Sequence, residues 1–351
     1  MEARTVIAGL ALFLACFPRL AADASLADGE SGVLVRDPVA FLRAEIGLTA
    51  TELGTLERGG DVARVIDTGD RREVLSFAVM RVRTTPARVL ERLRDLEGRR
   101  QAPWVLQIGR LGPAPSAPDF EALTLDQGDV KHLAKCQVND CDMRLPADAI
   151  ERFRTQVDWS SAYRTGRANK LFRDMLQSGT AAYLKQGNPA LFEYVNNNDP
   201  VRIADSLEEL LRRSRFLYDA APDLFTFLQR FPEARPADAE DFVYWIKERF
   251  WLLNVLSVNH VVLVNRATPS GWLVLAVSKQ LYANHYYESS LGVTAFVGGK
   301  ESGSYLVFIN RTRADIRRSG FTWPERTLLK YLVRGRLEGQ LKYLRPQLES
   351  P

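Results

Sequence analysis

Apolar and polar positions change period several times along this chain, and each change marks an element. Residues 38–46 carry apolar side chains at helical spacing, with Asp37 and Pro38 placed to start the helix and Gly47 to end it. Thr49 and Glu52 make a capping-box pattern that opens a second helix, ending at Gly59 and Gly60. The period then falls to two. Residues 61–67 and 72–83 alternate, are rich in β-branched side chains and are joined by a Thr-Gly-Asp-Arg turn, which predicts a hairpin. Thr85 and Pro86 open a helix with Val89, Leu90, Leu93 and Leu96 on one face and Gly98 at its close. Residues 104–108 read as one more strand, followed by a proline-rich loop over 113–118.

From residue 129 to 250 the spacing reads as mainly helical, with 147–157, 205–218 and 238–250 as its clearest segments and breaks at Gly187-Asn188-Pro189, 196–200 and 232–236. Strands return at 258–265, 272–278, 293–297 and 305–310. A long helix over 323–344 comes last, opened by a capping box from Thr322 to Glu325. Its Gly335 and Gly339, four residues apart, are expected to let that face approach a sheet closely. This order predicts an α+β fold in which an antiparallel sheet with helices on one face packs on a long C-terminal helix. The expected blocks are N-terminal helices at 25–60, a first sheet part at 61–128, a helical block at 129–250 and a second sheet part with the last helix at 251–351.

The strand that ends in Arg83-Thr-Thr-Pro-Ala-Arg-Val-Leu-Glu-Arg-Leu-Arg-Asp-Leu96, together with the antiparallel strands and the single long terminal helix, resembles the helix-grip fold of START-type and polyketide-cyclase-like proteins. The resemblance covers about half the chain, 60–110 and 255–345, and rests on element order. It implies a curved sheet wrapped around the last helix, with an apolar ligand pocket in the gap. The helical block is larger than that family's usual loops.

The opening of the chain bears on compartment. Residues 6–17 (VIAGLALFLACF) have the length of a signal-peptide apolar region, and Ala22-Asp-Ala24 is a small-x-small pattern that puts cleavage before Ser25. Competing readings make Cys16 a lipidated residue or the segment an uncleaved anchor. Export to a periplasm or to the outside favours a disulfide between Cys136 and Cys141, which have four residues between them. His132 and Asp142 would complete a zinc-ligand alternative, but paired C-x2-C spacing is missing and no metal is expected. Haem attachment is excluded because no C-x-x-C-H occurs.

Composition is that of an ordinary globular protein, 351 residues with 46% hydrophobic and 26% charged, which excludes disordered, collagen-like and polytopic membrane classes. The net charge of +4 argues for no nucleic-acid partner. It is unevenly spread: residues 311–345 hold ten Lys or Arg against three acids, a +7 segment on a −3 remainder, which could meet an anionic head group or an anionic membrane surface. No G-x-S-x-G, H-E-x-x-H, P-loop or G-x-G-x-x-G is present, and no cofactor is expected. Gly298 to Ser304 is a turn between strands and a poor phosphate cradle.

Three histidines exist, His132, His260 and His285. The segment 278–290 gathers Lys279, Tyr282, His285, Tyr286 and Glu288, groups able to exchange protons or hydrogen-bond a ligand, and His260 is placed to meet His285 from a nearby strand. Arg311 and Arg313, at a strand end, suit a carboxylate or phosphate. The expectation is therefore an exported protein that binds an apolar or amphipathic, lipid-like small molecule between sheet and C-terminal helix, with Tyr282, His285, Arg311 and Arg313 as contacts. The alternatives are a hydrolase or cyclase using His285 with Glu288 or His260, or an envelope interaction protein without a small ligand.

Overall fold

The computed structural model describes residues 33–195, 197–250, 252–268, 271–299, 303–314 and 323–349, with side chains from 330 onward in the last stretch. The expected signal segment, Cys16, the Thr322 cap and Arg317 and Arg318 lie outside the described residues.

Three short helices lead in: α1 (Val33–Arg36), α2 (Pro38–Ala44) and α3 (Ala50–Glu57). Asp37 accepts from the Ala40 amide, and Thr49 and Glu52 close the capping box, as the spacing predicts. Strands β1 (Asp61–Ile66) and β2 (Glu73–Arg81) form the expected hairpin. Thr85 caps α4 (Pro86–Arg94), but the helix does not run on to Gly98. Asp95 leaves helical geometry at ψ 88° and its carboxylate accepts from the Gly98 amide, which starts a separate α5 (Leu96–Arg100). Strand β3 (Val105–Arg110) follows.

The helical block contains α6 (Gln127–Leu133), α7 (Ala147–Gln156), α8 (Arg164–Gln186), a small ladder of β4 (Glu193–Tyr194) with β5 (Val201–Arg202), and α9 (Ile203–Arg212), α10 (Arg215–Ala220) and α11 (Pro222–Arg230). It ends ten residues earlier than the spacing predicts. Residues 240–250 are a strand, β6 (Glu240–Phe250), because Phe242 to Ile246 is a β-branched and aromatic run covered on both faces. Four long strands complete the sheet: β7 (Leu253–Thr268), β8 (Gly271–Ala283), β9 (Tyr287–Gly299) and β10 (Gly303–Ala314). Helix α12 (Trp323–Glu349) is the last element.

The eight main strands lie in the order β1-β2-β10-β9-β8-β7-β6-β3, every neighbour antiparallel. The fold is α+β, as the element order predicts, but helices lie on both faces of the sheet. One face carries Phe77, Val79, Trp245, Val258, Val277 and Ile309 into a large core shared with α1 to α3 and α6 to α11. The other carries Ala78, Met80, Val274, Phe296 and Leu306 against Val89 and Leu90 of α4 and Leu341 and Leu348 of α12, while Ile108, Tyr244, Ile246 and Ala276 meet Leu96 of α5. Helix α12 reaches the sheet through leucines. A Cβ on Gly335 or Gly339 would meet nothing within 4 Å, so these glycines do not make the close approach expected of them. Its far end is tied down where Thr84 donates to the Leu348 carbonyl (2.8 Å) and Arg345 pairs with Asp61.

Candidate functional site in the gap between sheet and last helix

Alternation along the strands decides what faces α12. Over much of that face the positions are filled by α4, α5 and the end of α12, but at the other end the sheet is left uncovered and a cavity of about 330 Å³ opens beneath α12. Ser278, Ser290 and Thr294 stay half-buried and Asn310 exposed although they stand in the middle of an eight-stranded sheet. Val333, Arg336, Leu337 and Gln340 of α12 form the roof.

The floor mixes uncharged polar side chains with apolar ones such as Val74, Val255 and Phe308. Ser76, Asn310, Gly292 and Ser278 are register neighbours across β2, β10, β9 and β8. A second set runs beside them, with Thr312 opposite Ser290 and Gln280 opposite Asn259. Ser290 donates to the Asn310 side-chain oxygen (2.8 Å) and lies 2.9 Å from the Thr312 hydroxyl; Asn259 donates to Ser257 (2.9 Å). Gln280, 7% exposed, leaves its Oε1 buried without a hydrogen-bond partner. The wall at one end is aromatic: Phe250 lies 5.6 Å from Tyr286 and 5.7 Å from Tyr287, ring centre to ring centre. Among the described residues the lining holds two charged side chains, Glu248 and Arg336, and they pair at 2.9 Å between β6 and α12. Burial pulls the Arg336 guanidinium below its ordinary value, and its plane lies 4.5 Å from the Trp104 ring centre.

Of the residues singled out from sequence, Tyr286 lines this cavity and the others stand elsewhere. Tyr282, His285, Glu288, His260, Arg311 and Arg313 do not line this cavity. A register shift where β8 leaves β7 turns Tyr282 to the helical-block side, where it is sealed among Phe172, Phe192 and Tyr194 and donates to the Arg144 carbonyl (2.8 Å). His285 bonds to Asp129 (2.8 Å) rather than to Glu288, and Glu288 lies 3.6 Å from Arg313. Arg311 and Arg213 both reach Glu73, whose side chain is 1% exposed. These guanidiniums are committed to buried carboxylates, which a charge in a packed interior requires.

His260 does not meet His285. It is fully buried and bridges Asp241 (Nε2 to Oδ2, 2.7 Å) and Tyr183 (Nδ1 to OH, 2.7 Å). The arrangement fits a neutral ring that donates from Nε2 and accepts the tyrosine hydroxyl at Nδ1. Burial, opposed by the Asp241 bond and reinforced by Lys279, pushes its pKa down to about 4. Lys279, also fully buried, donates to Asn188 Oδ1 (3.0 Å) and lies 4.7 Å from the Phe231 ring centre; burial pushes it down to about 7. Asn188 can reach it because Gly187 turns at φ +77°, where a Cβ would lie 1.7 Å from the Phe231 carbonyl oxygen. This chain of groups is enclosed by core and opens on no described cavity.

Cys136 and Cys141 are paired, with their sulfurs 1.98 Å apart, so the two thiolates a zinc site would need are bonded to each other. His132 stands 4.0 Å from Asp142 beside them. Among the described residues no group of three or more His, Cys, Asp or Glu could hold a metal ion, and no helix is long and apolar enough to cross a membrane. Much of the basic tail is neutralised in place: Lys330 pairs with Asp67, Arg334 with Glu338, Arg336 with Glu248 and Arg345 with Asp61.

No family model matches the chain, and no curated protein or solved structure matches it either. The site is therefore argued from its own geometry. Sequence reasoning missed Ser76, Asn259, Ser278, Gln280, Asn310 and Thr312. Their signal is a polar residue every second position at the same end of several strands otherwise built from Val, Leu and Ile.

Proposed function

We propose that this protein binds an amphipathic small molecule in the gap between the sheet and α12. The observation that carries the reading is the 330 Å³ cavity itself, which lies within the usual size of small-ligand sites and combines an aromatic wall with a floor of hydroxyls and amides. It interrupts a sheet face that is otherwise filled. The helix-grip resemblance implies a pocket in the same place, between the sheet and its last helix. Binding is favoured over catalysis because among the described residues the cavity lining contains no His, Cys or Lys, and its Glu and Arg are spent on each other. Export of the protein is part of the proposal; the apolar run at 6–17 and the paired cysteines support it.

Gly292 offers a clean test. It lies in the cavity floor, and a Cβ there meets Ser278 at 3.8 Å and Asn310 at 4.0 Å, ordinary contacts, so a larger side chain can grow into the space. Native mass spectrometry of the protein purified from its own host is expected to find a retained small molecule in the wild type and none in Gly292→Phe, at equal folded content. A wild-type protein without any retained mass, or retention unaffected by Gly292→Phe, overturns the reading.

A further inference from the structure

Resting on that reading of the cavity, we infer that its ligand is uncharged where it meets the sheet and presents a hydroxyl group to Gln280. Three observations converge. Among the described residues the cavity lining carries no net charge to match an ionic head group, because Glu248 and Arg336 pair at 2.9 Å. Its floor carries hydroxyl and amide side chains on five adjacent strands, β2, β10, β9, β8 and β7, set beside Val74, Phe308 and Val255. Within that floor the Ser290, Thr312 and Asn310 side chains bond one another and Asn259 bonds Ser257, whereas Gln280, more than nine-tenths buried, keeps an amide oxygen without any partner.

A buried amide end without a partner is rare, because burial removes water and nothing replaces it. A ligand hydroxyl supplies what is missing. It donates to the amide oxygen and can equally accept from an amide nitrogen, so it serves Gln280 whichever way round the side chain is turned. A carboxylate offers no donor and would also be stripped of water opposite Glu248. A quaternary ammonium offers neither donor nor acceptor. The aromatic wall of Phe250, Tyr286 and Tyr287 and the roof residues Val333 and Leu337 receive the apolar remainder of the molecule. The class so defined is a neutral amphiphile with a hydroxyl-bearing head, either a glycoside or a glycerol ether or ester.

Four probes that share one six-carbon chain separate the possibilities by titration calorimetry on the whole protein: hexyl glucoside, 1-O-hexylglycerol, hexanoate and hexyltrimethylammonium. The expected result is binding of one or both hydroxyl probes at least tenfold tighter than either ion, with the better of the two telling sugar from glycerol. Gln280→Leu is expected to weaken the hydroxyl probes about tenfold, since a site built around a hydrogen bond discriminates strongly against its loss; Gln280→Met is the fallback should the leucine variant not fold. Equal binding of all four, blocked by Gly292→Phe, overturns the hydroxyl preference and leaves the cavity as a general amphiphile site. Preference for an ion, or full binding by the Gln280 variants, overturns it too. Binding by none of the four overturns both this inference and the reading beneath it.

Discussion

The two faces of the central sheet are made by the same strands and have opposite chemistry. Toward the helical block stand His260, Lys279, Tyr282, Arg311 and Arg313; one residue along, toward α12, stand Asn259, Gln280, Asn310 and Thr312. The charged and titratable groups lie on the filled side, each committed to a carboxylate, a carbonyl or a ring, because a buried charge survives only when its surroundings close around it. The neutral polar groups lie on the open side, where Ser278, Ser290 and Asn310 stand at the cavity. Side chains that look most reactive in a list are therefore the structural ones here, and the modest Ser, Asn and Gln are the ones left with capacity.

Substitutions that set one face against the other test this division. The largest effect is expected from Tyr282→Ala on the filled side: it empties a site between three aromatic rings and strands the Arg144 carbonyl, and should lower unfolding stability by about 3–5 kcal/mol in urea titration. A loss under about 1 kcal/mol would show that this face is not tightly filled. Next comes pH. Lys279 has a folded pKa near 7 against 10.5 for the free side chain, so between those values the unfolded chain binds the extra proton and stability rises as pH rises. The gain from pH 7 to 10.5 is on the order of several kcal/mol. Lys279→Met should flatten that slope in chemical denaturation and lessen without removing the separate loss below pH 6.5 that follows His260 toward its value of about 4, since burial is the main cause of that shift and Lys279 a smaller one. The smallest effect is expected from Ser278→Ala on the open side, about 1 kcal/mol or less, since Tyr244 loses its hydrogen bond to Ser278 but keeps the one from Arg99. A cost as large as that of Tyr282→Ala would erase the distinction between the faces.

How much of this could be read from the residues follows the same line. The early helices, the first hairpin, the terminal helix and the α+β class are legible because caps, prolines and periodicity are local. Strand β6 is not: Phe242 to Ile246 is buried on both sides of the sheet, alternation disappears, and a short apolar run reads equally well as helix. The ends of β7 to β10 run several residues past their apolar centres because pairing, not composition, extends them. The grouping of Lys279, Tyr282, His285 and Glu288 misleads for a different reason. Closeness along a strand is not closeness in space, since neighbours point to opposite faces and the register shift at β8 turns Tyr282 again. The cavity floor draws a few residues from each of five strands, from Ser76 to Thr312, and no local window contains it.

The order of strands in the sheet also has a bearing on time. Strands β2 and β3 end up separated by five others that are synthesised much later, and the place beside β2 is taken by β10, with Phe77 opposite Ile309. An emerging chain thus holds two strands with open edges until its C-terminal third arrives, and folding must close very long loops before the sheet exists. Assembly is expected to be slow, with chaperone capture competing against it. The cavity, which needs both the completed sheet and α12, is the last thing the chain acquires.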